Sequence, residues 1–119
     1  MSSFISFPLT NLGEPHRTYA PLPERQLEGV QTCHNWNVDK TADETVATGV
    51  WEVTPGAYRS MKEGAWELCV ILSGVAEITE DGGETVTVRA GDAFVLKPDF
   101  VGTWKVLETT RKIWVLKNK

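Results

Sequence analysis

From residue 45 onward the pattern of apolar and polar positions reads as short strands separated by turns, most of them marked by glycine or proline. Thr45–Thr54 ends at Pro55-Gly56, and Trp66–Leu72 ends at Ser73-Gly74. Val75–Thr79 runs into Glu80-Asp81-Gly82-Gly83, a hairpin signal. In Thr85–Arg89 the side chains of Val86 and Val88 share one face, while Thr85, Thr87 and Arg89 share the other. Ala90-Gly91-Asp92 turns into Ala93–Lys97, Pro98-Asp99 leads to Gly102–Leu107, and Thr109–Leu116 follows. Seven or eight short strands with no convincing helix among them predict an all-β, antiparallel sandwich or barrel.

The first 44 residues read differently. Pro8, Pro15, Pro21 and Pro23 crowd one stretch and argue against a regular element there, apart from a short helix allowed over residues 24–28. Phe4, Ile5, Phe7, Leu9, Leu12, Tyr19 and Leu22 make the same stretch too apolar for a free tail. The expected organisation is therefore an arm, residues 1–44, packed on a barrel formed by residues 45–119.

Two predicted strands are apolar on both faces. Trp66–Leu72 carries Leu68, Val70 and Leu72 on one side and Glu67, Cys69 and Ile71 on the other, and in Lys112–Leu116 both Ile113/Val115 and Trp114/Leu116 are apolar. Such strands need a second covering layer, supplied by the arm or by another subunit, and a homodimer is expected.

Composition narrows the class further. Val and Thr contribute 26 of 119 residues, which favours strands, and a chain of this size can bury a core without disulfides. A net charge of −4 and a pI near 5.1 argue against nucleic acid as a partner. No apolar run is long enough for a membrane span, and prolines and charges interrupt any signal-peptide core. Cys33 and Cys69 are too few for a disulfide framework, so a cytoplasmic protein with reduced thiols is expected. Charge is uneven: residues 43–84 hold nine acidic and two basic side chains, and residues 97–119 hold six basic and two acidic. Cross-strand pairing is the simplest account of that asymmetry. Adjacent Cys33 and His34 would point to opposite faces of a strand, which argues against a catalytic dyad.

Four segments in order, "GVWEVTPG", "ELCVILSGVAEIT", "AGDAFVLKP" and "GTWKVLETTRKIWV", resemble the cupin superfamily over roughly residues 45–117. The finer resemblance is to ureidoglycine aminohydrolase-like and ethanolamine-utilisation cupins. Glu67 followed at the family spacing by Gly74 matches the second half of the first cupin motif. Gly91-Asp92 and Pro98-Asp99-Phe100 approximate the second motif, with one extra residue and Phe100 in place of a glycine. The resemblance implies a single small jelly-roll barrel that dimerises.

In metal-binding members the resemblance implies three histidines and one glutamate pointing into the barrel. Here the histidine positions map to Met61, Glu63 and Thr103, and Glu67 alone survives. A thioether, a hydroxyl and two carboxylates are a poor transition-metal set, so neither a metal nor another cofactor is expected. His16 and His34 lie outside both motifs.

Strand parity and the resemblance together put Met61, Glu63, Glu67, Cys69 and Ile71 on the interior face. A carboxylate desolvated there is expected to have a raised pKa, which suits a general acid or base. The competing reading has Glu67 hydrogen-bonded to Tyr58, Lys105 or a Trp N–H as part of the core. Trp104, beside Thr103, is a candidate stacking wall for a small ligand. Glu67 is thus the candidate catalytic residue, with Met61, Glu63, Tyr58, Trp104, Thr103 and Lys105 as candidate ligand contacts.

The leading functional reading is a metal-free cupin that binds a small polar metabolite in its barrel, with Glu67-centred acid/base chemistry as an extension. The alternatives are a metal-dependent aminohydrolase-like or isomerase cupin, and a non-catalytic dimeric module of a metabolic complex.

Overall fold

The computed structural model describes residues 3–119 and contains nine strands and no α-helix among them. The strands are β1 (Arg17–Tyr19), β2 (Gln26–Glu28), β3 (Cys33–Lys40), β4 (Val46–Val53), β5 (Gly56–Met61), β6 (Trp66–Glu80), β7 (Thr85–Arg89), β8 (Ala93–Leu96) and β9 (Val101–Lys117). A single 3₁₀ turn, Pro23–Arg25, stands where the sequence allows a short helix. Proline at its first position and the absence of a side-chain cap keep it to one turn.

β6 and β9 form the spine. They pair antiparallel along nearly their whole length, from Trp66 opposite Lys117 to Glu80 opposite Gly102. The free edge of β9 is shared by β4, opposite residues 110–117, and β5, opposite residues 101–106. The free edge of β6 is likewise shared by β8 and β7. β3 and β1 extend the β4 side, and β2 extends the β5 side. Two halves therefore hinge on two long bent strands, and their facing surfaces make the core of the jelly roll.

The bend explains a difference from the sequence reading, which breaks the chain at Ser73-Gly74 and again between Leu107 and Thr109. Both places lie inside continuous strands. Register shifts between Ile71 and Ala76 mark a bulge, not a turn. Glu67, Cys69 and Ile71 point inward before it, and Ala76 and Ile78 point inward after it, so the bulge switches the interior parity. Gly74 sits at the corner with φ +90, and a Cβ there would lie 2.2 Å from the Thr109 carbonyl oxygen. Only glycine lets the two spine strands approach so closely while bending.

Three strands lie ahead of residue 45, where the sequence pattern becomes regular. β3 in particular is an eight-residue strand paired with β4, from Cys33 opposite Val53 to Lys40 opposite Ala47. The described residues before Arg17 lack regular structure, and part of this segment lies over the outer face of the sheet, where the Trp36 indole donates to the Gly13 carbonyl at 3.0 Å.

The core joins both halves: Val53, Cys69, Ile71, Ala76, Val88, Leu96, Phe100, Trp104 and Val106 are buried together. Trp104 is its hub, edge-on to Trp51 at 5.9 Å, stacked with Tyr58 at 6.4 Å and tilted against Phe94 at 6.0 Å. The opposite face of β6 and β9 is less well covered. Leu68 and Val70 are half-buried there, beside Ile113 and Val115, and Val95 opposite Leu68 is exposed. No helix among the described residues is long and apolar enough to cross a membrane.

Candidate functional site

The barrel interior opens into a cavity of about 550 Å³. Its floor is made by inward residues of the spine and of β4 and β5: Glu67, Lys112, Trp104, Trp51 and Tyr58. One wall comes from the segment 17–25, through Arg17, Tyr19, Pro21, Leu22 and Arg25.

Glu67 is 7% exposed and is held by two ammonium groups. Lys112 Nζ donates to Oε2 at 2.8 Å, and Lys62 Nζ donates to Oε1 at 2.5 Å. Lys112 is itself buried and also donates to Cys69 Sγ at 3.4 Å. Its ammonium lies 4.7 Å from the Trp51 ring centre and 4.8 Å from that of Trp104. The lone cation of the β9 interior is therefore surrounded by a carboxylate, a thiol and two π faces, each of which favours its charged form.

These contacts correct the expectation for Glu67. Burial pushes its carboxyl up, but the charges of Lys112 and Lys62 and their hydrogen bonds outweigh burial and hold it down, at about 2. Glu67 is ionised at neutral pH and has no proton to donate. Burial pushes Lys112 down, and Glu67 overcomes this to hold it above its ordinary value. A permanently protonated amine is neither a nucleophile nor a base. Burial raises the thiols of Cys33 and Cys69 to about 11 against the pull of Lys112, so both stay protonated near neutrality. Neither of these buried thiols is in a disulfide. Burial also holds the Tyr58 phenol well above its usual range.

The candidate residues separate into two groups. Glu67, Tyr58 and Trp104 come together at the cavity floor. Met61, Glu63, Thr103 and Lys105 do not line it. Tyr58 pairs with Trp104 across β5 and β9, so the alternate residues Met61 and Thr103 face outward. Thr103 accepts a hydrogen bond from Arg59 at 3.3 Å, and Lys105 is exposed, 4.0 Å from Glu28. Strand parity from Met61 to Glu67 fails because the chain turns between them. Glu63 has φ 52, Gly64 has φ 96, and Ala65 N–H donates to the Lys62 carbonyl at 3.1 Å. The turn brings Lys62 inward and leaves Glu63 outside, paired with Arg25. Glu67 bonds to Lys62 and Lys112 and not to Tyr58, Lys105 or an indole N–H.

Several lining residues escape sequence reasoning: Lys62, Lys112, Arg17, Tyr19 and Trp51. Lys112 did leave a signal. On the face that alternates Thr110, Lys112 and Trp114 it is the one cation, and the one acid on the matching interior face is Glu67. The register sets Lys112 opposite Ile71 on β6, close enough for its long side chain to reach back to Glu67. Tyr19 is tied in by its hydroxyl, which accepts the Trp51 indole N–H at 3.0 Å, and Arg17 lies over the Tyr19 ring at 4.2 Å. His34 bonds to Thr18 at 2.9 Å, His16 accepts the Asn37 N–H at 3.0 Å, and neither lines this cavity.

Residues 40–114 match the model of the EutQ-like cupin domain. The chain belongs to that family. Among solved structures, this cupin is similar to a protein of unknown function from Pseudomonas syringae pv. tomato, at 22% identity and a TM-score of 0.73, over 83% of this chain and 42% of that one. It is similar to the EutQ protein of Clostridium difficile at 17% identity and a TM-score of 0.62, over 73% of this chain and 63% of that one. Ectoine synthase from P. lautus matches at 16% identity and a TM-score of 0.66, over 79% of this chain and 69% of that one. At these identities the likeness is one of fold. The chain spans less than two thirds of the length of the first two of these proteins. No curated protein matches it in sequence.

The metal site that a cupin barrel implies has no matching donors here. The surviving carboxylate is already neutralised by two ammonium groups, which would repel an incoming cation. Among the described residues no three His, Cys, Asp or Glu side chains converge.

Proposed function

We propose that this cupin binds a small polar metabolite in its barrel without a metal, and that Glu67 serves the site as a fixed counter-charge and not as an acid. The observation that carries the reading is the open cavity of about 550 Å³, floored by the buried Lys62–Glu67–Lys112 cluster and walled by indole rings. A cavity of that size and mixed character is of the kind that takes a small molecule. Two lysines sharing one carboxylate in the middle of an apolar floor give such a ligand orientation as well as contact area.

The lining tryptophans make the reading testable. Titration of the purified full chain with a panel of polar metabolites should produce a saturable change in tryptophan fluorescence, because Trp51, Trp104 and Trp114 line the cavity. A panel that leaves the emission unchanged throughout, while thermal melts also stay constant, would overturn it.

The same proposal includes a homodimer in a reducing, cytoplasmic setting. The half-covered apolar strip of Leu68, Val70, Ile113 and Val115, bordered by exposed Val95, supports a second copy as the missing layer. Light scattering after size exclusion should give about twice 13.2 kDa. A particle of 13.2 kDa at micromolar concentration would remove the dimer.

A further inference from the structure

The balance of donors and acceptors around the cavity identifies the class of ligand. We infer that the cavity takes a small organic carboxylate, its apolar body against the tryptophans and its oxygens toward Lys62, Tyr58 and Arg17. This inference rests on the small-molecule reading above and adds the ligand's charge and shape to it.

The charges come first. Five cationic residues and one anionic residue line the cavity. Two of the cations are spent outside it: Arg25 pairs with Glu63 at 2.5 Å, and Arg59 grips both carboxylate oxygens of Asp81 at 2.7 and 2.6 Å. Glu63 and Asp81 do not line the cavity. Arg17 has no carboxylate partner among the described residues, and its guanidinium lies over the Tyr19 ring. Lys62, Lys112 and Arg17 against Glu67 alone leave an excess of two positive charges inside a chain whose net charge is −4. Two lysines on one carboxylate at the floor and an exposed arginine at the rim make the opening favourable to an anion, the Arg17 charge being the more screened of the three.

The uncharged groups agree. Tyr58 is 9% exposed, lines the cavity, and its hydroxyl has no hydrogen-bond partner among the described residues. A phenol that opens onto the cavity with no partner in the protein keeps its proton for an acceptor on the ligand. The Tyr19 hydroxyl accepts from Trp51, so its own proton is likewise available. The side-chain acceptors are already engaged: Glu67 by two lysines, and Asn35 Oδ1 by the Trp114 indole N–H at 3.0 Å. Apart from the hydroxyls of Ser60 and the two tyrosines, which can also donate, the cavity offers charged donors and no free side-chain acceptor, which suits an oxyanion. Inorganic phosphate shares that chemistry, but the lining of Trp51, Trp104, Trp114, Leu96 and Leu116 gives it nothing apolar to meet. A carboxylate on a flat or aliphatic body uses both halves of the lining.

Four probes of similar size or charge separate the outcomes in calorimetric titrations of the full chain at neutral pH: benzoate, benzamide, benzylammonium and inorganic phosphate. Benzoate should bind about tenfold or more tightly than benzamide, because its hydrogen bonds are charge-assisted. Benzylammonium should not bind. Tyr58→Phe removes a hydroxyl with no structural partner, so it should leave the melting temperature unchanged, weaken benzoate several-fold and leave benzamide as it was. Arg17→Gln should act in the same direction. If benzamide or benzylammonium binds as well as benzoate, or if phosphate alone binds, the carboxylate assignment is wrong while the small-molecule reading stands. If none of the four binds yet the metabolite panel still changes the fluorescence, the inference alone falls. Silence in both experiments removes the binding reading as well.

Discussion

Glu67→Gln should destabilise the protein by about 3 kcal/mol, because it leaves Lys112 buried without its counter-charge. The expected loss in melting temperature is roughly 10 °C for a domain of this size. Lys112→Met should cost about half as much, since Glu67 keeps its bond to Lys62 and the methionine fills the space beside Trp51 and Trp104. The double variant carries the sharper expectation. With both charges gone, the penalty of an unpaired buried ion disappears, and the two losses should fall short of additivity by about 2 kcal/mol. Urea denaturation of the four proteins at neutral pH measures this cycle. Strict additivity would mean that the two groups do not sense each other.

The same pair sets the acid response. The Glu67 carboxyl is held below its unfolded value, so its stabilisation is complete above about pH 4.5 and is lost as pH falls toward about 2. The stability gap between the natural protein and Glu67→Gln should therefore be widest above pH 4.5, narrow through that window, and close near pH 2. A carboxyl raised by desolvation would give the opposite slope, with the gap changing above pH 4.5. Denaturation midpoints at several pH values distinguish the two.

Trp104→Ala should be the most damaging truncation in the core, at about 3–5 kcal/mol. Trp104 is 1% exposed and touches Trp51, Tyr58 and Phe94, so its removal takes contacts from both halves of the barrel at once. It also strips one π face from Lys112 and joins the vacated space to the existing cavity. Trp104→Phe keeps a ring in place and should recover more than half of the loss. Leu107→Ala, at an exposed site on the same strand, should stay within about 0.5 kcal/mol of the natural protein. An equal effect at Leu107 and Trp104 would contradict the placement of the core.

The barrel was legible because β7 alternates cleanly and β4, β7 and β8 are short, β-prone runs that end at ordinary turn residues. The spine was not. Ser73-Gly74 has turn composition, and a bulge inside a long strand uses the same residue for a different reason. β3 was hidden by His34, Asn35, Asn37, Asp39 and Lys40, which make a sheet strand read as a polar connection. Glu67 stood out as an acid in an apolar strand, but the sign of its pKa shift depended on cations 5 and 45 positions away in sequence. Parity carried from Met61 to Glu67 went wrong at the turn over residues 62–65, which made Lys62 the inward residue. Arg17 and Tyr19 left no local mark, because their place in the wall depends on β1 pairing with β3.

The sharing of both spine strands has a consequence for how the molecule is made. β9 is the common neighbour of β4, β5 and β6, so neither half has a complete hydrogen-bonded centre until residues 101–117 take their place. Each of those ladders joins segments far apart in the chain, and their closure carries the loop-entropy cost that slows non-local topologies. Before that step, β4 and β6 expose long unpaired edges and apolar faces. During synthesis, the nascent chain must therefore remain soluble with an open sheet until β9 has cleared the ribosome, and that interval is when it is most exposed to edge-to-edge aggregation.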